Sequence, residues 1–401
     1  MKRALITGVA GFIGSSLAET LVAQGWQVVG VDNFDPYYST DRKRRNLCSL
    51  GRSPFFRLVE ADVRDFAGLC AGVSGEFDAV VHLAAKAGVR PSLVDPLACQ
   101  QTNVCGTQNM LEMAKRLRVG QFVFASSSSV YGENPNVPWR EDDLGLKPIS
   151  PYASSKVSGE LLGQVYSRLY GIRFIALRFF TVYGPRQRPD LAVHKFSRLM
   201  LGGKPLPLYG DGTTQRDYTY IDDIVEGIRA AMAYDRSMYE VINLGNNHTV
   251  SLAELILHLE ELLGVKAEIR RYPEQAGDVP RTWANISKAK ALLGYQPRTE
   301  FREGLRRFAE ALRDEAPIAD GRHRVGGAEH SPTRTANGRA ESGAVRPPER
   351  GPNSFRFPGR SQTPPAWSGC CGAWPSSGAP GNENLSLTPG SSRSLPCTSL
   401  D

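Results

Sequence analysis

"LITGVAGFIGSSLAETL", residues 5–21, decides the fold. Its glycines, Gly8, Gly11 and Gly14, recur at every third position between the apolar run "RALIT" (3–7) and an amphipathic segment that starts near Gly11. The spacing predicts a strand, a tight turn and a helix. Glycine permits such a turn, lets backbone N–H groups approach a pyrophosphate, and lets the helix pack closely on the strand, while the positive helix end favours the anion. A second run, "QVVGVD" (27–32), ends in Asp32, where a carboxylate suits the hydroxyls of an adenosine ribose. Together the two features predict a dinucleotide site. Asn33 and Phe34 follow with no arginine adjoining, and a carboxylate repels a 2′-phosphate, so NAD is expected over NADP. The opposing signal, "DRKRRN" (41–46), is read as a surface loop. At the end of "FRLVEAD" (56–62), Asp62 with Val63 suits the adenine edge, and equally a plain strand-end turn.

Further strands are expected at "AVVHLAA" (79–85), "QFVFASS" (121–127) and "RFIALRFF" (173–180). Apolar strands alternating with helical segments predict a parallel sheet covered on both faces. The fold class is therefore α/β: a Rossmann-type doubly wound sheet over residues 1–180, with later segments returning to it, and 181–316 mainly a smaller C-terminal substrate-binding lobe. From about Pro317 the chain is dominated by Pro, Gly, Ser and Arg, and Lys290 is its last lysine. Residues 317–401 are expected to be a disordered, low-complexity tail without activity of its own.

Composition narrows the function. The 401 residues are 41% hydrophobic and 22% charged, a balance typical of soluble globular proteins. No apolar run approaches the length of a bilayer span. The start "MKRALITGVAGFIG" imitates a secretory signal, but its regular glycines and polar continuation favour a cytoplasmic protein. Seven cysteines without CxxC spacing suggest neither a disulfide framework nor zinc, His194 and His248 lack metal-ligand spacing, and no metal is expected. The net charge of +7 is scattered among acids, which argues against nucleic acid and for a small anionic substrate.

"SPYASSKVSGE" (150–160) carries the chemistry. Ser150 is a good N-cap and Pro151 fits the first helical position, which predicts a helix to about Tyr170. Tyr152 and Lys156, four apart, share a face of it. An ammonium beside a phenol favours the phenolate. Such pairs also arise by chance on solvated helix faces, so the rest of the chain has to decide.

The ordered motifs TGVAGFIG, "HLAAKAGVR" (82–90), "NVCGT" (103–107), "SSSSVYG" (126–132), YxxxK, "RDYTYIDDIVEGI" (216–228) and "GDVPRTWANISKAKALLGYQP" (277–297) resemble the extended short-chain dehydrogenase/reductase family, and within it the NAD-dependent nucleotide-sugar 4-epimerases. The resemblance runs from Lys2 to about Phe308. It implies Tyr152 and Lys156 as the catalytic pair, with Ser127 bridging the tyrosine and the sugar 4-oxygen, and with Ser126 and Ser128 as neighbouring alternatives. It implies an NAD site of Gly8, Gly11, Phe12, Ile13, Gly14, Asp32, Asn33, Asp62, Val63, Leu83, Ala84, Ala85, Asn103, Tyr152 and Lys156. A homodimer, paired through two helices per subunit, is also typical of the family.

The expected partner is a UDP-sugar. Related 4,6-dehydratases carry an Asp-Glu pair just before "VYG", where this chain has Ser128 and Ser129, so dehydration is not expected. "RFFTVYGPRQRPDLAVHKF" (178–196) resembles UDP-glucuronate 4-epimerases, with Thr181 where relatives acting on neutral sugars often have Asn. Arg188 or Arg186 would then pair with the substrate's C6 carboxylate, for which a guanidinium fork is well shaped. Gln275 points the same way, while Arg216 and Asp278 resemble residues that hold the UDP diphosphate and ribose. Ser127 and Ser128 complete the expected substrate set. The alternatives are a UDP-glucose or UDP-N-acetylglucosamine 4-epimerase, or a non-catalytic NAD-sensing protein on the same fold.

Overall fold

Seven strands build the central sheet of this computed structural model, which describes residues 1–143, 145–274 and 279–314. They are β1 (Arg3–Thr7), β2 (Gln27–Asp32), β3 (Phe56–Glu60), β4 (Ala79–His82), β5 (Gln121–Ser127), β6 (Arg173–Phe179) and, after the three short strands given below, β10 (Tyr239–Leu244). Their order is β10-β6-β5-β4-β1-β2-β3, and every neighbouring pair is parallel. The chain order reverses between β1 and β4. In such sheets ligands bind in the crevice beyond the strand ends at this switch point.

Strand alternation sorts the core into two layers. Ala4, Ile6, Val28, Val81, Val123, Ile175 and Ile242 face one side; Leu5, Val29, Val80, Phe122, Phe124 and Phe174 face the other. Helices cover both faces, as an all-parallel sheet requires. They are α1 (Phe12–Ala23), α2 (Thr40–Asn46), α3 (Phe66–Gly72), α4 (Val89–Val94), α5 (Pro96–Gln100), α6 (Gly106–Arg116), α7 (Pro151–Tyr170), α8 (Ala192–Leu201), α9 (Ile221–Ala233), α10 (Leu252–Leu263), α11 (Ser287–Leu293) and α12 (Phe301–Asp314). A single π turn, Gln101–Cys105, joins α5 to α6.

Helix α7 begins as its sequence predicts. The Ser150 side chain accepts from Ala153 N, Pro151 opens the first turn, and Gly171 ends the helix in the left-handed region with φ 64°. Its close seat on β5 and β6 comes from Gly159 and Gly163, where a Cβ would collide with the rings of Phe124 and Phe174. The helix therefore approaches the sheet as nearly as backbone allows.

Short strands form the smaller lobe: β7 (Thr181–Tyr183), β9 (Gln215–Tyr220) and β11 (Thr249–Ser251) in one sheet, β8 (Leu206–Tyr209) and β12 (Ile269–Tyr272) in another. Within the stretch 181–316, β10 returns to the main sheet beside β6. The described residues belong to one compact unit. The expectations for Gln275, Asp278 and the tail fall outside the described residues, save that helix α12 already reaches Asp314. No helix among the described residues is long and apolar enough to cross a membrane.

Candidate active site

The glycine turn is built around two close approaches. Gly8 has φ +70° and lies so near the next strand's end that a Cβ would stand 2.8 Å from Ala84 N; a Cβ on Gly14 would collide with Gly8 O. The first turn of α1 carries no acidic residue, so its free N–H groups and positive end face the crevice without an internal anion. Asp32, only 7% exposed, accepts from Ala10 N at 3.0 Å and from Phe34 N at 2.8 Å. Burial raises its pKa, opposed by Lys43, whose Nζ is 4.0 Å away, and by those two N–H groups.

The expectation of a surface loop at 41–46 is corrected here. Ser39 caps α2, and that helix turns Arg42, Lys43 and Asn46 inward. Lys43 sits over the Tyr38 ring and beside Asp32, so that carboxylate has a buried cation of its own. Asn46 donates to Ala10 O at 3.0 Å and ties α2 to the glycine turn.

A cavity of about 410 Å³ opens at the switch point. It brings together Gly8, Gly11, Phe12, Ile13, Gly14, Asp32, Asn33, Val63, Leu83, Ala84, Ala85, Ser127, Ser128, Tyr152, Lys156, Thr181 and Arg188. A second cavity of about 170 Å³ shares Ser128, Ser129 and Thr181 with it and adds Arg216. Asp62 and Asn103 stand outside both linings. The Asp62 carboxylate is held by Arg64 at 2.7 and 2.9 Å and by Asn33 at 2.8 Å, which keeps its pKa down at about 2. Asn103 is buried: its amide accepts from Lys86 N, donates to Lys86 O and donates to Ser155 Oγ, so it fastens the loop after β4 to helix α7.

Tyr152 and Lys156 do share a face, but the ammonium does not meet the phenol directly. Lys156 Nζ donates to Ala125 O at 2.7 Å and lies 5.8 Å from the Tyr152 ring centre. Burial pushes the Tyr152 pKa up, and the groups that pull it back are the Ser127 hydroxyl, by a hydrogen bond, and the charge of Arg188. Burial also lowers Lys156, to about 8. The sequence expects Lys156 to favour the phenolate; Ser127 and Arg188 are the groups whose pull opposes burial here.

The serines separate cleanly. Ser126 donates to Glu160 at 2.5 Å, away from Tyr152, whereas Ser127 bonds both Tyr152 and Ser129. Glu160 in turn receives Arg178 Nε at 2.9 Å and Nη2 at 2.8 Å, both side chains being almost wholly buried. Arg178 also stacks over Tyr131. This ionic network lies directly behind the serine run and pins the end of β5 to α7.

The two candidate arginines separate as well. Arg186, at φ +67°, pairs with Glu19 of α1 at 2.7 Å and braces a loop. Arg188 lines the cavity, with Nε and Nη2 on Asp190 at 3.0 and 2.7 Å. Asp190 also accepts from the Tyr37 hydroxyl at 3.2 Å. Across the same mouth Lys86 pairs with Asp35 at 2.9 Å. The loop that follows Asp32 is thus latched at two points to the walls opposite it.

Tyr37, Lys43, Lys86, Glu160 and Asp190 were not singled out from the sequence. Glu160 had a usable signal: four residues after Lys156 on one helix, it had to lie on the same face. Lys86 and Asp190 lay inside quoted motifs without an assigned role. Nothing local marks Tyr37, whose contact with Asp190 spans 153 residues of chain.

Residues 5–308 match the family described as GDP-mannose 4,6 dehydratase. The chain is 42% identical over 306 residues to the UDP-glucuronate 4-epimerase of Thermodesulfobacterium geofontis, covering 76% of this chain and 94% of that protein. Among solved structures it is similar to UDP-glucuronic acid 4-epimerase from Bacillus cereus, in complex with UDP-glucuronic acid and NAD, with a TM-score of 0.73 and 39% identity over 78% of this chain and 99% of that one. It is also similar to UDP-glucose 4-epimerase from Thermotoga maritima with UDP-glucose, with a TM-score of 0.70 and 33% identity over 78% of this chain and 98% of that one.

Proposed function

We propose that this chain, which belongs to the GDP-mannose 4,6 dehydratase family within the extended short-chain dehydrogenases/reductases, is a UDP-glucuronate 4-epimerase that works with NAD. One observation carries the choice of substrate. Arg188 enters the cavity that holds Tyr152 and Thr181, close enough for its charge to act on the tyrosine. A cation there is matched to a sugar with a C6 carboxylate.

The residues fit the cofactor. The glycine cradle that any Cβ would fill, the uncommitted N-terminus of α1 and the buried Asp32 suit a pyrophosphate and a ribose in turn. When bound, NAD supplies the acceptor and then the donor of a hydride. Tyr152 takes the proton of the 4-hydroxyl as its phenolate and gives it back to the 4-oxygen once the 4-keto sugar has turned and its other face has been reduced. Ser127 holds the phenol and the 4-oxygen in line, and Lys156 holds the nicotinamide ribose. Arg216 and the smaller lobe carry the UDP diphosphate and ribose, with the second cavity as their site.

The protein acts as a homodimer on this reading. Leu161, Val165 and Leu169 make an exposed apolar stripe along α7, and Val94 and Leu97 are exposed on α4 and α5, which pack against that helix. Large apolar patches of this kind mark interfaces. The free thiols Cys48, Cys70, Cys99 and Cys105 suit a reducing, cytoplasmic setting.

The test is incubation of the purified protein with UDP-glucuronate, without added NAD, followed by NMR for UDP-galacturonate. Its appearance supports both the reaction and a retained cofactor. Turnover of UDP-glucose alone would make this a neutral-sugar epimerase.

A further inference from the structure

The contact between Arg188 and Asp190 poses a problem for the reaction. Nε and Nη2 of Arg188 are committed to Asp190, and Nη1 makes no hydrogen bond among the described residues. A substrate carboxylate would therefore meet a guanidinium whose charge is already offset by a fixed anion. For tight capture of an anion this is a poor arrangement, because Asp190 repels the second carboxylate as it approaches. Yet Asp190 is well anchored: Tyr37 donates to it from the loop after Asp32, and the Tyr37 ring lies under the Arg188 guanidinium at 5.6 Å.

Epimerisation makes this weakness useful. The sugar has to present both faces of C4 in turn to the hydride carrier while its 4-oxygen stays near Tyr152, so its carboxylate cannot stay locked to one donor throughout the cycle. Binding energy that is equal or greater in the trapped orientation does not speed the reaction. We propose that Asp190 is a positioning residue that keeps Arg188 in a neutralised pair, so that Arg188 recognises the substrate carboxylate yet releases it when the keto-sugar turns. The proposal rests on the reading of Arg188 as the carboxylate's partner. Tyr37 sets how fully Asp190 offsets the arginine, since its hydroxyl draws on the same carboxylate oxygen that receives Nη2.

The experiment compares wild type, Asp190→Asn and Tyr37→Phe as full-length, NAD-loaded protein. Affinities for UDP-glucuronate, UDP-glucose and UDP are measured by calorimetry, and KM and kcat by NMR. With the repelling charge removed, Asp190→Asn is expected to bind UDP-glucuronate about tenfold more tightly while its kcat falls, and to bind UDP-glucose and UDP within about twofold of wild type. Tyr37→Phe acts in the opposite direction, with UDP-glucuronate bound about twofold more weakly. General damage to the fold cannot tighten one ligand selectively. Unchanged or weaker binding of UDP-glucuronate by Asp190→Asn overturns the proposal; should that variant not fold, an unaltered Tyr37→Phe does so. If instead wild type binds UDP-glucuronate no differently from UDP-glucose, and Arg188→Met alters neither, the substrate reading itself has failed.

Discussion

Replacing Glu160 by alanine isolates the ionic network behind the serine run 126–129. Glu160 and Arg178 are 4% and 3% exposed, and the pair is bidentate at 2.8 and 2.9 Å. Removing the carboxylate leaves a guanidinium in the protein interior beside the Tyr131 ring, without its bidentate partner. A buried charge stripped of its partner loses about 4 kcal/mol. For a folded unit of this size, about 2 °C per kcal/mol puts the fall in Tm near 8 °C. Calorimetry at fixed, saturating NAD measures it, since ligand occupancy otherwise shifts Tm. The control is the double variant Glu160→Met with Arg178→Met. It removes both charges at similar volume and is expected to recover most of the loss, because apolar replacements of buried pairs are often neutral or stabilising. A loss below about 1 kcal/mol for Glu160→Ala, or a double variant no more stable than the single one, would refute the assignment of a desolvated, mutually dependent pair.

On the proposed mechanism Tyr152 acts deprotonated, and a group whose pKa is raised stays protonated below it, so kcat/KM is expected to fall as pH is lowered. Ser127→Ala, which removes the largest stabilisation of the phenolate, should move that limb to higher pH. Tyr152→Phe should slow turnover about 10³-fold while leaving UDP binding intact, as read by NMR rates and calorimetry. His82, buried between Thr7 and Thr107, has its pKa lowered from 6.5 to about 3. Its depressed folded pKa contributes stability that is complete above 6.5 and lost as pH falls toward 3, so denaturant midpoints should drop over that window in wild type and less in His82→Gln. Val165→Glu with Leu169→Glu should shift sedimentation from dimer to monomer if the α7 stripe is the interface; an unchanged dimer would place the interface elsewhere.

Much of the fold was legible because its signals are local. The apolar runs of β1, β2, β5 and β6 and the cap, proline and closing glycine of α7 each sit within a few residues of one another. β4 was read three residues too long: Leu83–Ala85 are apolar, yet they leave the sheet to pass over Gly8. The cluster at 41–46 was misjudged because charge normally marks a surface, and only tertiary packing shows Lys43 meeting Asp32 inside. The short strands of the smaller lobe pair across long stretches of chain and carry little periodicity of their own. In the site, residue types and spacing pointed to the cavity lining, whereas Asp190 acts through other side chains and Glu160, though its helix spacing was readable, shows its partner Arg178 only in the fold.

The two glycines that seat α7 on the sheet also settle what can move. With backbone against the rings of Phe124 and Phe174, and with Lys156 moored to Ala125 O, the post that carries Tyr152 has no slack along or away from the sheet. On the proposed reaction this post is the stator and the keto-sugar its rotor. Every residue that touches the hexose must serve two poses of one ring, and the free volume inside the cavity, rather than a swing of the chain, becomes the quantity that limits the half-turn between epimers.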